Sequence, residues 1–391
     1  MNEMCEWKEY KFGEITEPIK ETYCPNSIDD LFYIGLEHIE QETLRLNGIG
    51  KSSDVTSNKF KFRSNDILFG KLRPYFRKVV KPNFDGICST DIWVFRSKEG
   101  IDQGFLYYFL ANWDFINTAN HGEGGTRMPR ADWNFLKETK WFLPFFTEQQ
   151  SIASVLSSLD DKIDLLHRQN TTLEKIAETL FRQWFVEEAK EEWEVKNLDE
   201  VTSKITDGTH STVYDDNEGN YYLLSCKNIK NGEIVITEND RRINQETLIQ
   251  LRKRTKLSKG DILITTVGTI GEVAMVKTDE IPFELQRSVA IIKPDSKILS
   301  VYFLYQFMKS RLFKHEVSSR VEGSVQACLF LGAINKIQIQ IPDSYMIEKY
   351  HDVVTPYYSQ IDTNITQIRT LTTLRDKLLP KLMRGEVRVK M

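Results

Sequence analysis

Long hydrophobic runs are missing from this sequence: nowhere do about 18 apolar residues stand together, so no segment is expected to cross a bilayer as a helix. The first stretch, Met1 to Lys20, alternates charge without an apolar core and does not read as a secretory signal. Cysteine is scarce, and the five present (Cys5, Cys24, Cys88, Cys226 and Cys328) form no CxxC pair. Such a set argues against a disulfide framework and for free, mostly buried thiols in a reducing cytoplasm. The six histidines show no ligand spacing, so no metal site is expected.

Catalytic motifs are missing too. Gly50-Lys51-Ser52 resembles the end of a phosphate loop, but Arg45 occupies the place of its first glycine. No Asn-Pro-Pro-aromatic or Asp-Pro-Pro-aromatic tetrapeptide is present for methyl transfer to a base amine, and no glycine-rich cofactor fingerprint follows a strand. The carboxylate set nearest to a nuclease's, Asp343 with Glu348 and Lys349, lacks the residue that should separate Glu from Lys. Catalysis by this chain is not expected.

What is present is segregated charge. The net charge is −4, yet Lys51 to Lys98 holds eleven Lys and Arg against four Asp and Glu. Arg241 to Asp261 holds seven against two, and Glu148 to Glu200 reverses the sign with six against thirteen. A phosphate binder needs a basic face rather than a basic total.

At 391 residues the chain should hold two or three domains, and it is written twice. Glu6-Trp7 matches Glu192-Trp193 at an offset of 186, Asp66-Ile67-Leu68 matches Asp261-Ile262-Leu263 at 195, and Pro144 matches Pro342 at 198. The offset drifts early in each half and then holds, so length variation is confined to one region. Each half predicts strands (Leu31 to Ile34, Asp66 to Phe69 and Asp91 to Phe95; then Tyr221 to Leu224, Asp261 to Ile264 and Val289 to Ile292). Each then predicts one helix (Phe105 to Phe115; Val301 to Phe313), a Gly-marked loop, and a last strand ending in proline. A long heptad helix follows each module. Its first seam is Ile152, Leu156, Leu159, Ile163, Leu166, Asn170, Leu173, Ala177, Leu180 and Trp184. The second is Tyr350, Val354, Tyr357, Ile361, Asn364, Ile368, Leu371, Arg375, Leu378 and Leu382, where Pro380 should strain or end the helix.

The fold expected is α+β: two pseudo-repeated mixed α/β modules joined by two long helices in an antiparallel coiled coil. The boundaries are a first module at 1–147, a central spacer helix at 148–190, a second module at 191–342 and a C-terminal helix at 343–391.

Cations interleaved with aromatics and turns suit a nucleic acid, since phosphate contacts supply affinity and side chains at base edges supply specificity. The first half offers Lys59, Lys61, Arg63, Lys71, Arg73, Tyr75 and Arg77, then Thr126, Arg127 and Arg130 in and after the glycine loop. The second offers Arg252, Lys253, Arg254 and Lys256, then Thr266 and Thr269, with Gln286, Arg287 and Gln326 able to read adenine or guanine. Thr209 and His210 stand in a turn-rich loop.

Four phrases carry a family resemblance: Asn65-Asp66-Ile67-Leu68-Phe69-Gly70-Lys71-Leu72-Arg73-Pro74-Tyr75, Leu173 to Val186, Thr265-Thr266-Val267-Gly268-Thr269-Ile270-Gly271, and Leu374 to Leu382. Over essentially the whole chain the sequence resembles the specificity subunits of type I restriction–modification enzymes. The resemblance implies that the two modules are target-recognition domains, each reading half of a split, asymmetric site in double-stranded DNA. It implies two methyltransferase subunits docked on the helices and restriction subunits joining them, with S-adenosylmethionine, ATP and Mg on those partners and none here. Two rivals are a complete enzyme in one chain, which the missing motifs oppose, and a two-headed adaptor gripping protein, RNA or DNA.

Overall fold

The computed structural model describes residues 7–25, 29–120, 129–237, 239–323 and 327–389. The chain divides into two compact units, Met1–Leu165 with Gln367–Met391, and Leu166–Thr366. The division falls inside both long helices, Phe146–Arg182 and Ser344–Met383.

In the first unit an antiparallel sheet runs in the order Thr16–Ile19, Ile92–Ser97, Ile67–Gly70, Val79–Val80. The strand Ile67–Gly70 shows why it forms: its alternate side chains serve two cores, as a strand buried on both faces must. Ile67 and Phe69 join Phe12, Phe95, Phe105 and Phe115 under the helices. Leu68 joins Ile34, Phe62, Val80 and Val94 against a second, five-stranded sheet. The second unit repeats this. Its sheet runs Thr202–Asp207, Val289–Pro294, Ile262–Thr265, Val273–Met275. Ile262 and Ile264 face one core, and Leu263 faces the other.

An ion pair under each sheet repeats with them. Asp66 is buried and takes a two-pronged contact from Arg96, both bonds 2.8 Å. At the matched place buried Asp261 takes Lys293 at 2.5 Å. The helix Gln245–Thr255 belongs to the second unit and falls where the repeat offset drifts; it is the length variation expected there.

Three expectations are corrected. The single helix after the central strand is two in each unit: Gln103–Ala111 and Trp113–Asn120, then Val301–Lys309 and Arg311–Arg320. Asn112 and Ser310 take extended backbone there, and Ser310 Oγ accepts from Phe313 N, capping the second helix. Pro380 does not end the C-terminal helix, which continues to Met383. Leu379, Leu382 and Met383 are buried in the first unit's core, and that packing holds the turn in spite of the missing N–H. The thiols are also less buried than expected: among the described residues Cys88 is buried, Cys226 and Cys328 are partly so, and Cys24 is exposed.

The long helices pair antiparallel within each unit. In the first, Arg375 Nη1 donates to Asp160 Oδ1 at 2.8 Å, and Arg388 lies 3.6 Å from Glu148. In the second, Asn364 Nδ2 donates to Asn170 Oδ1 at 2.8 Å, and the Tyr350 hydroxyl donates to the Ala177 carbonyl at 3.0 Å. The seam asparagines are thus joined by one hydrogen bond, and Asn364 Oδ1 accepts from Gln360 Nε2 at 2.8 Å. Asn170→Leu should leave the buried Asn364 Nδ2 with only a 3.5 Å contact to Gln169 and cost about 1–3 kcal/mol in urea unfolding. Leucine at both positions should recover part of the loss. An unshifted single mutant would refute the pairing's importance.

Candidate nucleic-acid interface

The hairpin turn after Ile67–Gly70 is held by the chain that follows the glycine loop. Lys71 N donates to the Asp91 carbonyl at 3.0 Å, Ala131 N to the Lys71 carbonyl at 2.9 Å, and Arg73 N to the Pro129 carbonyl at 2.8 Å. In the second unit Thr266 N donates to the Ser288 carbonyl at 3.0 Å and Leu329 N to the Thr266 carbonyl at 2.8 Å. The two turns are the same device. They differ at two left-handed positions: the first unit places Arg73 (φ 52°) and Arg77 (φ 48°) where the second places Gly268 (φ 72°) and Gly271 (φ 89°). A left-handed backbone costs an arginine and not a glycine, and such strain gathers at functional sites.

This pairing brings Lys71 and Arg130 together around Asp91, which lies 3.4 Å from Arg130, with the Arg73 backbone bonded to Pro129 next to them. Partial burial holds the Lys71 ammonium below its ordinary value; Asp91 opposes that, while Arg130 and Lys20 add repulsion. Arg73 lies over the Phe76 ring at 5.9 Å, and Tyr75 is exposed beside it. Crowded cations with one acid among them make a site that favours an anion.

The second unit gathers its candidates around Gln286 and Arg287. Thr209 bridges Gln286, and Arg287 N donates to the Thr209 carbonyl at 3.1 Å. Arg254 clamps this loop through the Asp207 and Gly208 carbonyls, and His210 Nε2 lies 2.5 Å from Asp207. Arg287, His210, Thr269, Lys253 and Lys256 are exposed, with Gln286 half-buried.

A family model described as the type I restriction modification DNA specificity domain matches residues 4–175 and again 190–373. The chain belongs to the type I restriction–modification DNA specificity family. The MjaIX specificity subunit of Methanocaldococcus jannaschii is 30% identical over 314 residues, which cover 75% of this chain and 71% of that one. The HindI specificity subunit of Haemophilus influenzae is 21% identical and covers 98% of this chain and 100% of its own. A type I S subunit from M. genitalium shares the fold, with TM-score 0.55 and 18% identity over 100% of this chain and 98% of that one. This specificity subunit is thus a component for DNA recognition, and the α+β plan with two modules and long helices is that of its family.

Five candidates of the specificity subunit are turned inward and leave the list of contact residues. Lys59 is buried, and its ammonium donates to Ser57 O and Oγ at 2.8 and 2.6 Å. Arg252 is bonded to buried Glu284 and to the Phe283 carbonyl. Thr209 and Thr266 are buried. Arg77 is 2% exposed and bonded to the Ala111 carbonyl. Lys61 lies 3.4 Å from Glu21 on the strand Lys59–Phe62, and Arg63 is exposed at the end of that strand. Thr126, Arg127 and Gln326 lie outside the described residues.

Sequence reading missed Lys20, Ser89 and Thr90. Ser89-Thr90-Asp91 stands at the places of Gln286-Arg287-Ser288 at an offset of 197, so aligning the halves on their strands would have found it. Among the described residues no three or more His, Cys, Asp or Glu are grouped to hold a metal ion, and no helix is long and apolar enough to cross a membrane.

Proposed function

We propose that residues 1–147 and 191–342 each read one half of a bipartite, asymmetric DNA site, and that the segments 148–190 and 343–391 set the spacing and dock two methyltransferase subunits. Restriction subunits join that complex, and S-adenosylmethionine, ATP and Mg belong to the partners. Lys71, Arg73 and Arg130, with Lys20, grip phosphates in the first module. Gln286 and Arg287, with His210 beside them, meet base edges in the second. The observation that carries this reading is a turn held in both units by two matching backbone bonds, cationic in one and glycine-lined beside an exposed arginine in the other.

Titration of cognate and scrambled duplexes at several salt concentrations tests it. Lys71→Ala should weaken binding to both duplexes alike and lower the slope of log K against log salt by roughly one unit. Arg287→Ala should cost roughly 1–3 kcal/mol on cognate DNA and far less on scrambled DNA. Equal losses for Arg287→Ala on both would remove it as a base reader, and salt-independent binding would remove DNA as the ligand of these turns. The same preparation, free of partner subunits, should transfer no methyl group from labelled S-adenosylmethionine.

A further inference from the structure

Arg77 is a long cation in the middle of the first module's turn, yet it faces away from solvent. Its guanidinium Nε donates to the Ala111 carbonyl at 2.6 Å, at the C-terminal end of a helix where carbonyls lack internal partners. Nη1 donates to the Glu42 carbonyl at 3.2 Å and lies 3.5 Å from Asp376 on the C-terminal helix, and the Trp113 ring lies 5.4 Å away. Asp376 in turn holds Arg375 at 3.1 Å, and Arg375 reaches Asp160 on the central helix. All of these groups belong to the first unit.

At the matched left-handed position the second unit has Gly271, which carries no side chain to reach the helices. Its turn is closed locally, by Gly271 N donating to the Thr265 carbonyl at 3.0 Å and by the Thr265 hydroxyl donating to the Thr269 carbonyl. An arginine kept at φ 48°, against its backbone preference and with its charge buried, needs a compensating gain.

We propose that Arg77 is a positioning residue for DNA: it straps the turn that carries Lys71, Arg73 and Tyr75 to the first unit's helix pair and so fixes the cations in the geometry that grips phosphates. This rests on the reading of that turn as a phosphate contact. Arg77 itself touches no DNA. The strap is specific to the first module, so the two modules hold their turns by different means, one through a long side chain to the helices and one through a compact glycine turn.

The test is a double-mutant cycle on the full chain, binding a scrambled duplex across a salt series. Arg77→Gly copies the matched residue and relieves the left-handed strain, and Arg77→Lys keeps the net charge without the planar fork. Arg77→Gly should lower the salt slope by roughly one to two units, although no phosphate contact has been deleted. Adding Lys71→Ala to it should then change the slope by less than roughly half of what Lys71→Ala does alone. Arg77→Lys should lower the slope in the same direction, which excludes loss of charge as the cause, and it carries the comparison if Arg77→Gly does not fold. A wild-type slope in the folded variants, or strictly additive losses, overturns the strap. A wild-type slope for Lys71→Ala alone is a different failure: the turn then is not a phosphate contact, and the strap falls with it.

Discussion

Arg375→Met should destabilise the protein by roughly 3 kcal/mol, because it strips the partner from a largely covered carboxylate. Arg375 is among the most buried side chains, and its Nη1 lies 2.8 Å from Asp160, which also accepts from the Tyr108 hydroxyl at 2.8 Å. Burial already holds the Asp160 carboxyl above its ordinary value, with Arg375 pulling it back down. Without the arginine that opposition is gone, and the folded state keeps its proton to a higher pH than the unfolded chain does. The unfolded state then binds fewer protons, so stability falls as pH rises through that window. The loss should therefore be largest at neutral pH and shrink toward pH 4, in the range of the unfolded carboxylate. Adding Asp160→Asn at neutral pH should recover part of it. Chemical unfolding at several pH values measures both effects, and a loss below about 1 kcal/mol at pH 7 would show that the pair is well hydrated.

The second large effect concerns retargeting. Exchanging residues 1–147 for those of another specificity subunit should replace one half of the methylated motif and leave the other unchanged. If three base pairs change, binding to the former site should fall by roughly 3–9 kcal/mol. Simple exchange, however, ignores residues 367–391, which complete the first unit. Leu379 and Leu382 lie in its core, and Arg384 makes a two-pronged contact to Asp114 at 2.7 and 2.6 Å. A chimera exchanging both segments should melt higher than one exchanging 1–147 alone, with the same new motif. Mapping methylated bases after co-expression with the methyltransferase subunits reads the motif, and both halves changing together would refute independent modules.

The repeat was legible because strand pattern and offset are properties of order along the chain. Leu68 and Leu263 fall opposite each other in the alignment, and both face the inter-sheet core. The helix seams were legible in part: Ile163, Ile361, Asn364 and Leu382 are buried where the heptads place them, whereas Phe181, Phe185, Tyr358 and Leu379 are buried in place of Leu180, Trp184, Tyr357 and Leu378. Burial of cations was not legible. Arg77, Arg252 and Lys59 carry the composition of a basic patch, and only the carbonyls of Ala111, Phe283 and Ser57 converging on them reveal their internal use. Nor was the closure of the first unit legible, since Arg375 meets Asp160 across 215 residues and no local pattern announces which half of a long helix serves which module.

That closure bears on how the protein comes to exist. The second unit is one unbroken segment, Leu166–Thr366, whereas the first waits for residues that begin at Gln367. On a ribosome making roughly 5–20 residues per second, the later-encoded unit has its complete set of contacts first, and the earlier one stands open for at least ten seconds or so. During that interval Leu156, Phe105 and Phe109 lack the cover that Leu379 and Leu382 provide. Partner subunits or chaperones that shield this surface during synthesis would raise the yield of native chain, and expression of the subunit alone would favour aggregates seeded by its first module.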